Sequence, residues 1–169
     1  GDNATWSNVG GPLGHSFGAD GAGSIQWLTS GAPSGYTYEA GSGGSLLVKQ
    51  AGVTVLTVTL NSATGAYSVT QNAPIKHADG NDENNATFTL NYRVTDADKD
   101  IVDGSLTINV DDDTPTVSAN AAVQLDDDAL VGGIAGGTGD DPNSVNVSGT
   151  LGHSFGADGA GSIQWLTSG

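Results

Sequence analysis

An identical stretch of 19 residues occurs twice in this chain, at residues 13–31 and at residues 151–169, with an offset of 138 residues. A looser match precedes it, in which five residues recur 138 positions later: Gly1, Asp2, Asn8, Val9 and Gly11. Folding does not require exact repetition, because hydrophobic cores tolerate substitution. The repeat therefore indicates a tandem array. The chain carries one 138-residue unit and the first 31 residues of the next.

The charge of the chain is strongly acidic. Nineteen Asp and Glu residues oppose four Lys and Arg residues, and 17 of the 19 are Asp, so the formal net charge is −15 at pH 7. Such a charge argues against nucleic acid or an anionic membrane as partner, and the absence of a long apolar run argues against membrane insertion. Cysteine is absent, so a secreted form needs a stabilising device other than disulfides. Clustered Asp residues favour a bound cation in that role.

Short alternating strands separated by turn residues dominate the sequence, and no window has a helical period. Residues 53–60 and 87–94 alternate most regularly, and Ala51-Gly52 is predicted as a two-residue hairpin turn. Further strands are predicted at residues 24–28, 36–39, 45–50, 66–70, 105–110 and 117–125. The expected fold is an all-β sandwich.

A boundary between repeat units is predicted at residues 111–116, where three Asp residues precede Thr-Pro-Thr. Pro115 cannot continue a central β-ladder. On this basis, residues 1–112 form most of one unit and residues 113–169 begin the next. Residues 113–169 could instead complete the first unit by folding back or by strand exchange, or the true frame could begin inside residues 1–31.

The strongest candidate site is an acidic loop between two predicted strands, with alternate carboxylates at Asp96, Asp98 and Asp100. Alternate carboxylates in a tight loop can converge on one hard cation, and Ca²⁺ accepts irregular sets of six to eight oxygen ligands. Asp103 is a further candidate donor. The sequence therefore predicts a non-helical calcium loop.

Two acidic triplets are further candidate metal ligands, because adjacent carboxylates repel one another unless a cation neutralises them. Their members are Asp111, Asp112 and Asp113, and Asp126, Asp127 and Asp128. Asp20 and its repeat counterpart Asp158 lie in Gly-rich turns that suit either a cation or a plain turn.

Three other patterns are interpreted as non-functional. Residues 14–18 match G-x-S-x-G, but the nucleophile elbow of a hydrolase requires a following helix, which the sequence ADGAGS cannot form. His77 is predicted to be an isolated loop histidine. Residues 136–141 match one copy of a calcium β-roll motif that requires several, so they are interpreted as a loop.

Several segments together resemble the tandem repeats of giant RTX adhesins that type I secretion exports. These segments are LGHSFGADGAGSIQWL, LTVTLNSATGAYSVT, TFTLNYRVTDADKDIVDGSLTINV and VDDDTPTV, which together cover most of the chain. The resemblance implies immunoglobulin-like β-sandwiches in series with Ca²⁺ bound in and between them. It assigns Asp96, Asp98 and Asp100 to a loop site and Asp111, Asp112 and Asp113 to the junction. Lys99 departs from the pattern, since many such loops carry Gly there.

The predicted function is that of a structural extender, not an enzyme. The resemblance implies a secreted protein at a bacterial cell surface, in which neighbouring identical repeats are the partners and distal domains bind the target. Calcium would stiffen the array outside the cell. The alternative is a carbohydrate- or host-surface-binding module, which would need exposed aromatic residues, whereas most aromatic residues here occupy inward strand positions.

Overall fold

The computed structural model describes residues 8–79, 84–140, 145 and 147–167. The chain divides into two compact units. Unit 1 comprises Gly1–Thr114 together with Ala157–Gly159, and unit 2 comprises Pro115–Gly156 and Ala160–Gly169. Both are all-β, and the only helical elements in the described ranges are 3₁₀ turns at Ser42–Gly44 and Asp127–Ala129. Within those ranges, no helix has the length and apolar character that crossing a bilayer requires.

The larger sheet of unit 1 is antiparallel and has five strands. They are β1 (Asn8–Pro12), β3 (Tyr36–Ala40), β4 (Leu46–Gln50), β5 (Val53–Leu60) and β6 (Ala66–Gln71). Their order across the sheet is β1-β6-β5-β4-β3. The β4–β5 turn is the predicted two-residue hairpin, and Ala51 and Gly52 both have positive φ, at 49° and 83°. This pair of left-handed residues matches the twist of the flanking strands.

The smaller sheet of unit 1 has the order β2-β7-β8 and is also antiparallel. Its strands are β2 (Ser24–Trp27), β7 (Ala86–Thr95) and β8 (Ile101–Val110). β7 and β8 pair along their whole length, from Ala86 opposite Val110 to Thr95 opposite Ile101. The loop that joins them is therefore held at one end of a long, regular hairpin.

The two sheets of unit 1 share one hydrophobic core, an arrangement consistent with a β-sandwich. The smaller sheet contributes alternate residues of β7, as the sequence predicts, because successive side chains of a strand point to opposite faces. The larger sheet contributes both Val55 and Leu56, since a register shift opposite Val48 and Lys49 interrupts the alternation there. The most deeply buried side chains are Phe88, Ile25, Leu46, Leu56, Ile75, Leu90, Val48, Val55 and Val58.

Unit 2 contains a two-stranded antiparallel sheet of β9 (Thr116–Val117) and β10 (His153–Ser154). The prediction of a strand over residues 117–125 is wrong beyond Val117. Within residues 116–125, only Thr116 and Val117 pair with another strand. An alternating apolar segment does not form a stable strand without a neighbouring strand to pair with. Most of the described large apolar residues of unit 2 are exposed, among them Val123, Leu125 and Ile134, and Phe155 is half-buried.

Candidate metal centres

The acidic loop of the β7–β8 hairpin is closed by its own first and last residues. The Asp96 N–H donates to the Asp100 carbonyl at 3.1 Å, and the Asp100 N–H donates to Asp96 Oδ1 at 2.8 Å. Between them Lys99 has a φ of +84°, in the left-handed region that favours glycine. Glycine adopts this conformation without strain. The left-handed φ of Lys99 is therefore a conformational reason for the glycine that the resemblance implies at this position.

A close approach of two loops brings Asp20 to this hairpin. Ser24 pairs with Thr95, which places Gly23 against the end of β7. A Cβ at Gly23 would lie 2.0 Å from the Thr95 carbonyl oxygen, so only glycine permits the contact. As a result, carboxylate oxygens of Asp20, Asp96 and Asp98 all lie within 4.8 Å of one another. We call these three residues the loop cluster.

The electrostatics of the loop cluster favour a positively charged occupant. The pKa of the Asp96 carboxyl is lowered, first by a hydrogen bond with the Asp98 side chain and further by backbone N–H groups of the loop. The carboxylates of the loop cluster repel one another, and a cation bound between them would neutralise that repulsion.

Two other acidic residues of this hairpin have different roles. Asp100 contributes its backbone to the loop, and its carboxylate is not part of the loop cluster. Asp103, a further candidate donor in the sequence, is bound by Arg93 on the paired strand, at 2.7 Å to Nε and 2.9 Å to Nη2. This bidentate pair lowers the pKa of Asp103 and engages both of its oxygens.

A second group consists of His77, Asp112 and Asp158, all in unit 1, whose ligand atoms also lie within 4.8 Å of one another. His77 Nδ1 is 2.9 Å from Asp112 Oδ1 and 3.5 Å from Asp158 Oδ1. The sequence-based interpretation of His77 as an isolated loop histidine is wrong. Its neighbours Asp112 and Asp158 are distant in sequence, so no local pattern could indicate them. We call these three residues the histidine cluster.

Backbone donors hold Asp112 as a carboxylate. The Asn84 N–H donates to Oδ2 and the Asp113 N–H to Oδ1, both at 2.9 Å. The pKa of Asp112 is lowered, mainly by the Asn84 N–H, and the pKa of Asp158 is raised, first by burial and then by the neighbouring Asp112. The two carboxyls thus oppose each other, and a cation between them would relieve the repulsion.

The first predicted triplet is therefore divided among three environments. Asp112 joins the histidine cluster, and Asp113 accepts the Ala157 N–H at 2.7 Å, next to Asp158. Asp111 is exposed and belongs to none of the groups found among the described residues.

The third group lies in unit 2 and combines Asp126 and Asp128 with Asp140. Asp126 Oδ1 accepts the Asp128 N–H at 3.0 Å, and Asp140 Oδ2 accepts the Gly136 N–H at 2.7 Å. They line a polar cavity of about 310 Å³. Asp127 is outside this group. The sequence-based interpretation of residues 136–141 as a plain loop missed Asp140, and Asp141 lies outside the described residues.

Comparison with known proteins identifies a family for unit 1. A family described as "Domain of unknown function (DUF5801)" matches residues 2–111, and the chain belongs to this family. No curated protein and no solved structure matches the chain.

Proposed function

We propose that this chain, a member of the DUF5801 family, is a structural extender module of a bacterial cell-surface adhesin. In this proposal its repeats are immunoglobulin-like β-sandwiches that bind Ca²⁺ at acidic loops and at the junctions between units. The array is secreted and projects distal domains that bind the target. Neighbouring identical repeats of the same polypeptide are its partners.

One observation carries the proposal: the repeated Ala-Asp-Gly turn lies in an acidic cluster in both of its copies. Asp20 joins Asp96 and Asp98, and Asp158 joins Asp112 and His77. In both cases the turn brings its carboxylate to other carboxylates, which raises the energy of the folded state unless a cation is bound. The same turn lies next to other acidic side chains in both copies of the repeat. This favours cation binding as a property that the repeats share.

Ca²⁺ suits the loop cluster because it accepts carboxylate, carbonyl and water oxygens in irregular geometry. Asp20, Asp96 and Asp98 would supply carboxylates from two different loops. The ion would neutralise these carboxylates. Because its ligands come from both loops, it would also link the β1–β2 segment to the β7–β8 hairpin. The triplet Asp111, Asp112 and Asp113, whose members lie in three different environments, precedes Pro115, and reducing its charge by cation binding would stiffen the hinge.

The contacts of unit 1 also bear on the rival functions. A carbohydrate-binding module stacks sugars on exposed aromatic rings, yet seven aromatic residues of unit 1 are buried in its core or packed against it: Phe17, Trp27, Tyr36, Tyr38, Tyr67, Phe88 and Tyr92. For a hydrolase, Ser16 would need a base. Its Oγ instead accepts the Gly18 N–H at 3.3 Å, and the neighbouring His15 Nδ1 lies 2.9 Å from the Leu13 carbonyl oxygen. These contacts support a non-enzymatic role.

Thermal unfolding with calcium and with a chelator tests the proposal. A single ion at 100 times its dissociation constant stabilises the folded state by about 2.7 kcal/mol, which raises Tm by on the order of 10 °C for a domain of this size. We expect a rise of this order for the wild-type chain. Asp98→Asn should remove most of the contribution of the loop cluster, and calorimetric titration should show one binding event fewer.

Asp103→Asn is the matched control, since Asp103 lies on the same hairpin but pairs with Arg93. It should retain the calcium dependence of the wild type. A chain whose Tm is the same in calcium and in chelator would refute calcium stabilisation. Binding of a glycan on an array, with no calcium effect, would favour the carbohydrate-binding alternative.

A further inference from the structure

His77 is a buried side chain whose polar contacts among the described residues are ion-pair contacts with two carboxylates. Its side chain is 6% exposed, and neither ring nitrogen has a partner in hydrogen-bond geometry among the described residues. Nδ1 nevertheless faces two carboxylate oxygens, at 2.9 Å and 3.5 Å. Buried polar groups in folded proteins are nearly always hydrogen-bonded, so an imidazole that faces two carboxylates without hydrogen-bond geometry favours a ligand between them.

The backbone that leads into His77 is fixed by its two preceding residues. Ile75 is inserted into the core with 2% exposure. The Gln50 side chain binds both backbone groups of Lys76, accepting its N–H at 2.8 Å and donating to its carbonyl oxygen at 2.7 Å. The imidazole is thus presented by a rigid segment, and Asp112 is held by two N–H groups. Rigid presentation of donors is what a metal site needs.

The spacing of the donor atoms suits a small tetrahedral ion. Zinc binds nitrogen and oxygen at about 2.0–2.2 Å, so two ligands of a tetrahedron lie about 3.3–3.5 Å apart. The distance from His77 Nδ1 to Asp158 Oδ1, 3.5 Å, agrees with this value, and the 2.9 Å to Asp112 Oδ1 is shorter, so metal binding would move these two groups slightly apart. Calcium takes six to eight oxygen ligands, whereas imidazole suits zinc and neighbouring transition metals.

We propose that His77, Asp112 and Asp158 bind a divalent transition metal of the Zn²⁺ type, with a fourth position open to water. This site differs in metal class from the calcium loop and does not depend on it. Asp158 occupies the same position of the repeat as Asp20, whose cluster contains no histidine. One repeated turn thus serves two metals, and the residues that face it select between them.

Calorimetric titration of the full chain with Zn²⁺, in excess calcium, tests this site. The wild-type chain should bind one Zn²⁺ ion with an affinity that His77→Ala lowers by about 100-fold or more, as expected for loss of a ligand. Asp158→Asn changes a residue of an exposed turn, so it should leave the fold intact and weaken zinc binding. Substituted Co²⁺ should show the intense visible absorption of a tetrahedral site, and His77→Ala should abolish it.

Two matched controls share the local sequence of the tested residues. Asp20→Asn changes the same turn in the first copy, and His153→Ala removes an exposed histidine whose Nδ1 lies 2.8 Å from the Leu151 carbonyl oxygen. Neither should alter zinc affinity. The proposal is overturned if the wild-type chain binds no zinc, if His77→Ala binds it unchanged, or if Asp20→Asn weakens it as much as Asp158→Asn does.

Discussion

The two copies of the repeated stretch have the same sequence but only partly the same structure. In the first copy, Ser24–Trp27 forms β2, and Ile25 and Trp27 are 1% and 8% exposed. In the second copy, the matching residues form no strand, and Ile163 and Trp165 are 54% and 84% exposed. Identical residues therefore have opposite environments.

The beginning of the stretch behaves differently, because its side-chain contacts within the turn are the same in both copies. Ser16 Oγ accepts the Gly18 N–H at 3.3 Å, and Ser154 Oγ accepts the Gly156 N–H at the same distance. The rings of His15 and Phe17 meet edge to face at 73°, as do the corresponding rings of the second copy. These contacts join residues at most two positions apart.

The difference separates local from long-range determinants of the fold. Turn contacts need only the residues that make them, so both copies have them. β2 needs β7, where Ile25 lies opposite Val94 and Trp27 opposite Tyr92. Alternation in the sequence makes a strand possible, and a paired neighbour over a hydrophobic core makes it stable.

The largest expected effect comes from substituting the same residue in each copy. Ile25→Ala should lower the free energy of unfolding by about 2–5 kcal/mol, because it leaves a cavity in the core. Ile163→Ala should change it by less than about 0.5 kcal/mol, since that side chain is more than half exposed. Urea denaturation followed by circular dichroism measures both. Equal losses in the two variants would show that the second copy is buried as the first is.

The same distinction decides how much of the fold follows from the sequence. Alternation locates β5 and β7 and the buried face of β7, and Ala51-Gly52 locates a hairpin, because these signals are local. Residues 117–125 alternate too, yet only Thr116 and Val117 are paired. The sequence does not state which alternating segment finds a partner.

The candidate sites divide in the same way. The sequence predicts that Asp96, Asp98 and Asp100 converge, because they alternate in one tight loop, and the carboxylates of Asp96 and Asp98 do lie together. It cannot predict Asp20 beside them, since this depends on the register of β2 against β7. The place of His77 beside Asp112 likewise depends on how a distant segment packs on the core.

A glycine pair gives an intermediate effect. A Cβ at Gly23 would lie 2.0 Å from the Thr95 carbonyl oxygen, whereas one at Gly161 would meet only the Phe155 ring at 3.6 Å. Gly23→Ala should therefore cost about 1–3 kcal/mol of unfolding free energy by forcing the loop away from β7, and it should also weaken calcium binding at the loop cluster. Gly161→Ala should do neither. Unchanged calcium affinity in Gly23→Ala would show that Asp20 is not a ligand.

The smallest effect should be the same in the two copies, and this equality is the sharpest test of the comparison. Ser16→Ala and Ser154→Ala each remove one exposed hydrogen bond of 3.3 Å, so each should cost less than about 0.5 kcal/mol. Hydrogen exchange of the Gly18 and Gly156 amides should speed up by similar factors, because each amide loses the same local acceptor. If only the Gly18 amide responded, the turn of the first copy would depend on its tertiary surroundings. Long-range contacts would then determine the structure of the first copy from a point closer to the start of the repeat.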